Sequence, residues 1–522
     1  MKKNLLARRN LSVFYFLPLV SLLNLFLYHQ PLWLYITSQT STPGLGTWTA
    51  LFSLLFMVNQ LVLLSLSIVS IRLSQYFSYL TLLGNALALY FLEQFGVILD
   101  SDMMGNIFNT RAIEAVDFLS FTLLVYLLIY AIIPIALVSR FKPIAPRRFT
   151  LILHFFMWLL LGLGGIYSGS SGWLWIDQHA KQLGARLLPW SYVVNSARHQ
   201  LSQRHEQQQL LADVTTQTSN NPLIVLVIGE TARSANFSLY GYQRNTNPAL
   251  SQRGAIALKG AVACTTYTTG SLKCILGHSP DTLFSTLYEP LPSYLQRHGV
   301  EVIWRTNNWG EPPIKVKQYQ QASELRKLCS TLNCDGDAAL LAGLNDRINA
   351  AQQDKLLFVL HQKGSHGPRY YQRYPKSFER FTPVCRSVEL SSCDPQSLLN
   401  AYDNSLLYTD YLLGNLIDQL RTYSERPVLM MYLSDHGESL GEYGLYLHGT
   451  PYTVAPSFQK KIPFVLWMNQ KFIDDHQLDL NSLKERTEHT QYQVFHSLLN
   501  AFGMESEIYD SSLDIFAKPS KN

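Results

Sequence analysis

Charge is what this chain has least of. Asp, Glu, Lys and Arg make up only 15% of its 522 residues, against about 25% in an ordinary soluble protein. The deficit is concentrated. Residues 11–166 are nearly all apolar, whereas residues 195–522 have the mix of a soluble protein. One body in one solvent is thereby excluded. The second half holds no Lys/Arg-dense stripe and no RNA- or DNA-binding signature, and the net charge of +5 is modest, so nucleic acid is not an expected partner. No cysteine precedes Cys264, no two cysteines stand at the two-residue spacing of a zinc ribbon, and no internal repeat occurs.

What is present begins with five apolar segments, roughly 11–28, 47–70, 76–99, 117–139 and 149–167. Each approaches the roughly 20 residues needed to cross a bilayer core. Five in succession argue against buried core helices, and four spans after the first argue against a cleaved signal peptide. Lys2, Lys3, Arg8 and Arg9 precede the first span, Arg72 lies between the second and third, and Arg140, Lys142, Arg147 and Arg148 lie between the fourth and fifth. Basic loops stay in the cytoplasm, which puts residues 168–522 outside. Trp173, Trp175, Trp190 and Tyr192 suit helices lying on the outer surface of the bilayer. The polar run from His199 to Asn221 reads as a linker or a solvated helix. The expected organisation is a five-helix transmembrane domain over 1–167, interfacial helices and linker over 168–221, and an α/β domain over 222–522.

Cys264, Cys274, Cys329, Cys334, Cys385 and Cys393 all fall in the outer part. An even count in an exported domain reads as disulfides. Short spacings favour nearest-neighbour pairs without excluding the other connectivities.

Five short apolar runs punctuate residues 220–470: LIVLVIG from Leu223, VEVIW from Val300, LLFVLH from Leu356, VLMMYLS from Val428 and PFVLWM from Pro463. Continuous apolar runs fit strands buried on both faces of a mainly parallel sheet, and such sheets carry their sites beyond the strands' carboxyl ends. Polar residues collect there. Glu230 follows the first run, His361 closes the third, Asp435 and His436 follow the fourth, and His366 and His448 lie shortly downstream. Carboxylate with imidazole is a zinc-type donor set. The hydroxyl-rich segment CTTYTTGSLKC offers Thr265, Thr266, Thr268 and Thr269 as nucleophiles, which a metal activates by lowering the hydroxyl pKa. Composition does not choose among the four.

Three segments carry a resemblance. GETARSANFSLYGYQRNTNP from Gly229, HQKGSHGPRYYQRYP from His361 and YLSDHGESLGEYGLYLHGTPY from Tyr432 resemble, in order, the motifs of the lipid A phosphoethanolamine transferases of the alkaline phosphatase/sulfatase superfamily. With the anchor, the resemblance spans nearly the whole chain. It implies a sulfatase-like periplasmic domain on a Gram-negative inner-membrane anchor, and a role in polymyxin resistance. It implies Glu230, Asp435 and His436 as zinc ligands and Thr268 as the metal-bound nucleophile. His366 and His448, with His361 nearby, match positions that bind substrate or a second zinc. Asn106, Thr110 and Glu114 match a headgroup-binding pattern whose four-residue spacing sets them on one helix face. Local disulfides are implied as well. The family's active-site lysine maps to Lys315, reached in WRTNNWGEPPIK only after extra residues. The implied reaction passes phosphoethanolamine from phosphatidylethanolamine to lipid A or another lipopolysaccharide group through a phospho-threonine, releasing diacylglycerol. A membrane-anchored phosphoglycerol transferase, sulfatase or phosphatase is the competing enzyme reading, although the nucleophile loop lacks the Cys/Ser-x-Pro-x-Arg segment of sulfatases. A catalytically silent receptor or scaffold needs no such set of ligands.

Overall fold

The computed structural model describes residues 9–39, 44–110, 115–203, 208–280, 286–329 and 334–517. The chain folds as two units, residues 1–204 and 205–522.

The first unit is helical. The five predicted spans correspond to α1 (Val13–Tyr28), which continues after a 53° bend as α2 (Gln30–Ser38), then α3 (Leu45–Val69), α4 (Ile71–Phe95), and, after the short α5 (Ser101–Asn109), α6 (Phe121–Ser139) and α7 (Arg148–Ser168). By length and composition α3, α6 and α7 each suffice to cross a bilayer, and the bent α1–α2 pair makes a fourth. The 25-residue α4 has the length but carries Arg72 near its start and Glu93 near its end. Arg9–Ser12 pairs in parallel with Phe141–Ile144, so Arg9 and the basic loop before α7 lie together, as a shared side of the membrane requires. Leu124, Leu160 and Leu161 face outward, while Gln60 donates to Ser21 Oγ at 2.7 Å inside the bundle, where lipid offers no substitute partner.

The stretch after α7 forms short helices and then α8 (Trp190–Gln203). Two of its aromatics differ from the interfacial reading. Trp190 Nε1 donates to Asn59 Oδ1 and Tyr192 OH to Asn85 Oδ1, each at 3.0 Å, so buried amides on α3 and α4 draw them inward. The polar run from His199 is not one linker either. It begins within α8, and near its end Thr216–Gln217 pairs with Met504–Glu505, because Leu211 and Val214 pack into the core of the second unit.

That second unit is built on a seven-stranded sheet: β1 (Leu223–Gly229), β2 (Ile256–Ala257), β3 (Glu301–Thr306), β4 (Gln318–Gln321), β5 (Leu356–His361), β6 (Val428–Ser434) and β7 (Phe464–Met468), in the order β2-β7-β6-β1-β5-β3-β4. Each of the five apolar runs is a strand. Strands β6, β1, β5, β3 and β4 run parallel, and at one edge β7 pairs antiparallel with β6 and β2 antiparallel with β7. The central strands are buried on both faces, which is why they read as continuous apolar runs. Helices α9 (Thr268–Leu276), α10 (Pro395–Leu420) and α11 (Gln493–Ala501) belong to this unit. Asp394 caps α10, accepting from Ser397 N at 2.9 Å, with Pro395 at its first position, the residue pattern expected of a helix start. Cysteines pair 264–274, 329–334 and 385–393.

Candidate active site

Register builds the site. Gly229 on β1 pairs with Ser434 on β6, and Ile228 pairs with His361 on β5. The strands therefore end in one row, and the next residues, Glu230 and Asp435, emerge side by side. The chain leaves β1 through Thr231, a β-branched residue at φ 62°, a strained conformation costing on the order of 1–3 kcal/mol. Its bonds account for the strain. Thr231 N donates to Asp435 Oδ1 at 3.0 Å, Thr231 Oγ1 donates to Glu230 Oε1 at 2.6 Å, and Thr231 O accepts from Tyr402 OH at 2.8 Å.

Thr268 is the first residue of α9, and the Cys264–Cys274 disulfide closes the loop that carries it. Its Oγ1 lies 3.3 Å from Glu230 Oε2 and 3.4 Å from His436 Nε2. Two other threonine hydroxyls of the loop go elsewhere. Thr265 Oγ1 donates to Tyr267 O at 2.9 Å, and Thr266 Oγ1 donates to Thr450 O at 2.6 Å. Among the described residues, Thr268 is the loop's one threonine with its hydroxyl at the carboxylates.

Glu230, Asp435 and His436 are fully buried and converge. His436 Nδ1 donates to Gly437 O at 2.9 Å, which fixes the tautomer and turns the lone pair of Nε2 inward. That nitrogen stands 3.1 Å from Asp435 Oδ2 and 3.5 Å from Glu230 Oε1. Asp435 Oδ2 nevertheless has no hydrogen bond. Electron-rich atoms facing one another in a buried site call for a cation between them, and the donor set fits zinc. With protons as the sole counter-charge the site titrates abnormally. Burial and the Asp435 carboxylate push Glu230 up to about 8. Burial opposes the charge on His436, but Asp435 outweighs it and lifts the imidazole to about 10. Burial likewise opposes Asp435, whose carboxyl His436 holds below the usual range.

A second group adjoins the first. Glu230, His366 and His448 have ligand atoms within 4.8 Å of one another, as do His436, Glu438 and His448. His366 Nδ1 is buried without a hydrogen bond. Burial and the neighbouring Lys363 hold its imidazole well below the ordinary value, which favours the neutral form that can bind a cation. His361 stands apart, with Nδ1 facing Thr306 Oγ1 at 3.4 Å and Glu311 Oε2 at 3.8 Å. Lys315 is exposed, and its backbone N–H donates to Ser293 Oγ at 2.7 Å, outside these groups.

Two contributors escaped the sequence reading. Asn308 Nδ2 donates to Glu230 Oε2 at 2.6 Å, orienting that carboxylate. Glu438 holds His448 Nδ1 at 2.8 Å and also accepts from Tyr370 OH. Glu438 stands within SDHGES, so its position was visible, but its partner was not.

In the helical unit, α5 closes at Asn109, and Thr110 is extended with Oγ1 donating to Asn106 O at 2.8 Å. The expected single helix face through Asn106, Thr110 and Glu114 is thereby corrected: a threonine hydroxyl satisfies a helix-end carbonyl and the helix stops. Glu114 lies outside the described residues.

Comparison with known proteins agrees with this architecture. A sulfatase family model matches residues 222–504, and a model of the phosphoethanolamine transferases EptA/EptB matches residues 54–203. The chain is 36% identical to a phosphoethanolamine transferase EptA of Helicobacter pylori over 94% of both chains. Its fold resembles the integral membrane lipooligosaccharide phosphoethanolamine transferase A of Neisseria meningitidis, with a TM-score of 0.87 and 25% identity over 98% of this chain and 99% of that one. The C-terminal periplasmic domain of phosphoethanolamine transferase EptC from Campylobacter jejuni matches at 36% identity and a TM-score of 0.53, over 60% of this chain and 99% of that one.

Proposed function

Since the chain belongs to the phosphoethanolamine transferase family within the alkaline phosphatase superfamily, we propose that it transfers phosphoethanolamine from phosphatidylethanolamine to the lipid A part of lipopolysaccharide, with Thr268 as the nucleophile. The position of Thr268 Oγ1 between Glu230 and His436 carries this reading. The proposed setting is the Gram-negative inner membrane, with residues 1–167 as the anchor, 168–221 as interfacial helices and connection, and 222–522 in the periplasm. The names of the relatives above support the donor group and the lipid-linked acceptor.

Glu230, Asp435 and His436 hold a zinc ion in this proposal, with His366 and His448 available for a second. Bound zinc supplies Lewis-acid stabilisation of phosphoryl charge and lowers the pKa of a coordinated hydroxyl. Thr268 Oγ, deprotonated before the donor arrives and released again as the same deprotonated oxygen at the end of the cycle, attacks phosphorus, the bond to diacylglycerol breaks, and phosphoethanolamine stays on Thr268. His448, oriented by Glu438, protonates the departing diacylglycerol oxygen. In the second half-reaction the same imidazole takes the proton of the acceptor phosphate or hydroxyl, whose oxygen displaces Thr268 Oγ. Thr268 opens α9, so the positive end of that helix favours the anionic phosphoryl group.

The test is intact-protein mass spectrometry after incubation with phosphatidylethanolamine. The wild type gains one phosphoethanolamine and Thr268→Ala gains none, whereas Thr265→Ala and Thr266→Ala keep the adduct. An adduct that persists in Thr268→Ala, or maps to another threonine, overturns the assignment.

A further inference from the structure

Glu93 stands two residues before the end of α4, inside the helical unit. A carboxylate in a membrane-spanning segment is expensive and normally pairs with a cation or lines a functional site. Among the described residues Glu93 has no ion-pair partner. Its Oε2 accepts a hydrogen bond from Tyr126 OH at 2.5 Å, and its Oε1 accepts none. A second source of negative potential lies beside it. Helix α4 closes at Phe95, with Gly96 at φ 67° donating its N–H to Phe91 O, so the negative end of the helix lies beside the carboxylate.

Four tyrosines surround this spot. The Tyr126 ring lies 5.5 Å from Tyr90 and 5.3 Å from Tyr130, and Tyr28 lies 6.4 Å from Tyr130. Three of their hydroxyls are committed. Tyr126 OH accepts from Gln94 Nε2 at 3.3 Å while donating to Glu93, and Tyr90 OH bonds Ser120 Oγ at 3.0 Å. Tyr28 OH donates to Tyr130 O at 2.5 Å. That carbonyl is open because Pro134, four residues on, has no N–H to offer it, and a widened π turn at Leu128–Ile132 marks the same place. Such turns recur at functional sites. Tyr28 and Tyr90 are fully buried and brace the cluster, while the half-buried rings of Tyr126 and Tyr130 offer π faces, whose quadrupole attracts cations.

We propose that Glu93, with Tyr126 and Tyr130 braced from behind by Tyr28 and Tyr90, forms a cradle for the primary ammonium of a lipid headgroup. The ammonium supplies the missing counter-charge and N–H donors for Glu93 Oε1 and the helix-end carbonyls. The lipid form of the ligand follows from the setting: Leu124, Leu128 and Ile129, on the helix that carries Tyr126 and Tyr130, are exposed apolar side chains suited to acyl chains. Identifying this lipid with the donor rests on the transfer reaction proposed above.

The full-length protein in detergent micelles, titrated with phosphatidylethanolamine or phosphatidylglycerol and read by native mass spectrometry, tests the cradle without turnover. Glu93→Gln is expected to weaken phosphatidylethanolamine retention about tenfold, the scale of one charge-assisted contact, with phosphatidylglycerol retention unchanged. Equal retention by wild type and Glu93→Gln overturns the proposal, as does an equal loss of both lipids, which marks a packing defect. Free ethanolamine is expected not to compete, and competition at concentrations matching the lipid overturns the lipid assignment. A wild type that retains phosphatidylethanolamine through Glu93 but never transfers its headgroup retires the reaction and leaves the cradle standing. Normal transfer with Glu93-independent retention does the reverse.

Discussion

Glu438 Oε2 lies 2.8 Å from His448 Nδ1, and that bond leaves His448 Nε2 as the nitrogen free for chemistry. The other oxygen of Glu438 is held by Tyr370 OH, so carboxylate and imidazole are locked in one orientation.

Glu438→Gln offers the imidazole an amide in place of a carboxylate. Turnover is expected to fall roughly 10–100-fold, the range for losing an orienting partner of this kind. Zinc bound by Glu230, Asp435 and His436 remains, and metal analysis beside initial rates checks both halves. Unchanged turnover removes Glu438 from the positioning of His448.

Metal removal is the second expectation. Chelation leaves Glu230 and Asp435 facing His436 in a buried site, so activity and thermal stability fall together. Restoring zinc at about 100 times its Kd returns roughly 2.7 kcal/mol. Magnesium, which prefers an all-oxygen octahedron, does not substitute. Thermal unfolding with and without each ion reads the result.

Gly364 sits at φ +49°, where an added Cβ meets Glu230 O at 2.6 Å and Glu230 N at 3.0 Å. Both obstacles are backbone, so Gly364→Ala displaces the end of β1 that presents Glu230. A shift of about 1 Å at such a ligand costs on the order of 100-fold in rate. Normal kinetics for Gly364→Ala show that β1 yields without moving the carboxylate.

Asp410 on α10 accepts from Ala249 N at 2.7 Å and Leu250 N at 3.0 Å. Burial pushes its carboxyl up to about 7, against the pull of those two N–H groups. The folded state therefore binds a proton that the unfolded chain releases near pH 4 or about 3.9. The stability this proton contributes is full below that pH and is lost as pH rises through about 7. Asp410→Asn is expected to flatten the fall of melting temperature across that window. An unaltered slope assigns the pH dependence elsewhere.

The chemistry-bearing motifs were legible because they are contiguous. Glu230 directly follows an apolar run, and Asp435 with His436 directly follows another. Each run had to be a strand buried on both faces, so each motif had to fall at a strand end. Asn308 and Tyr370 were not legible as site residues. They reach Glu230 and Glu438 across 78 and 68 residues of chain, and side-chain spacing along one segment says nothing about such pairs. The Asn106–Thr110 face was misread for the opposite reason. Helical spacing was present in the sequence, but a local hydroxyl–carbonyl bond competed with continuing the helix.

By itself the sequence determined the two solvents of the chain, the helical and α/β halves, the donor types of the candidate site and the motif that carries the proposed nucleophile. Those follow from local composition and from which groups must be buried or solvated. The resemblance pointed to Thr268, and only the tertiary structure shows what physical choice its surroundings make among the hydroxyls. Thr265 and Thr266 satisfy carbonyls of their surroundings, whereas the start of α9 delivers Thr268 to Glu230 and His436. That choice depends on strand register and on where one helix begins, and both are set by packing between segments distant in sequence.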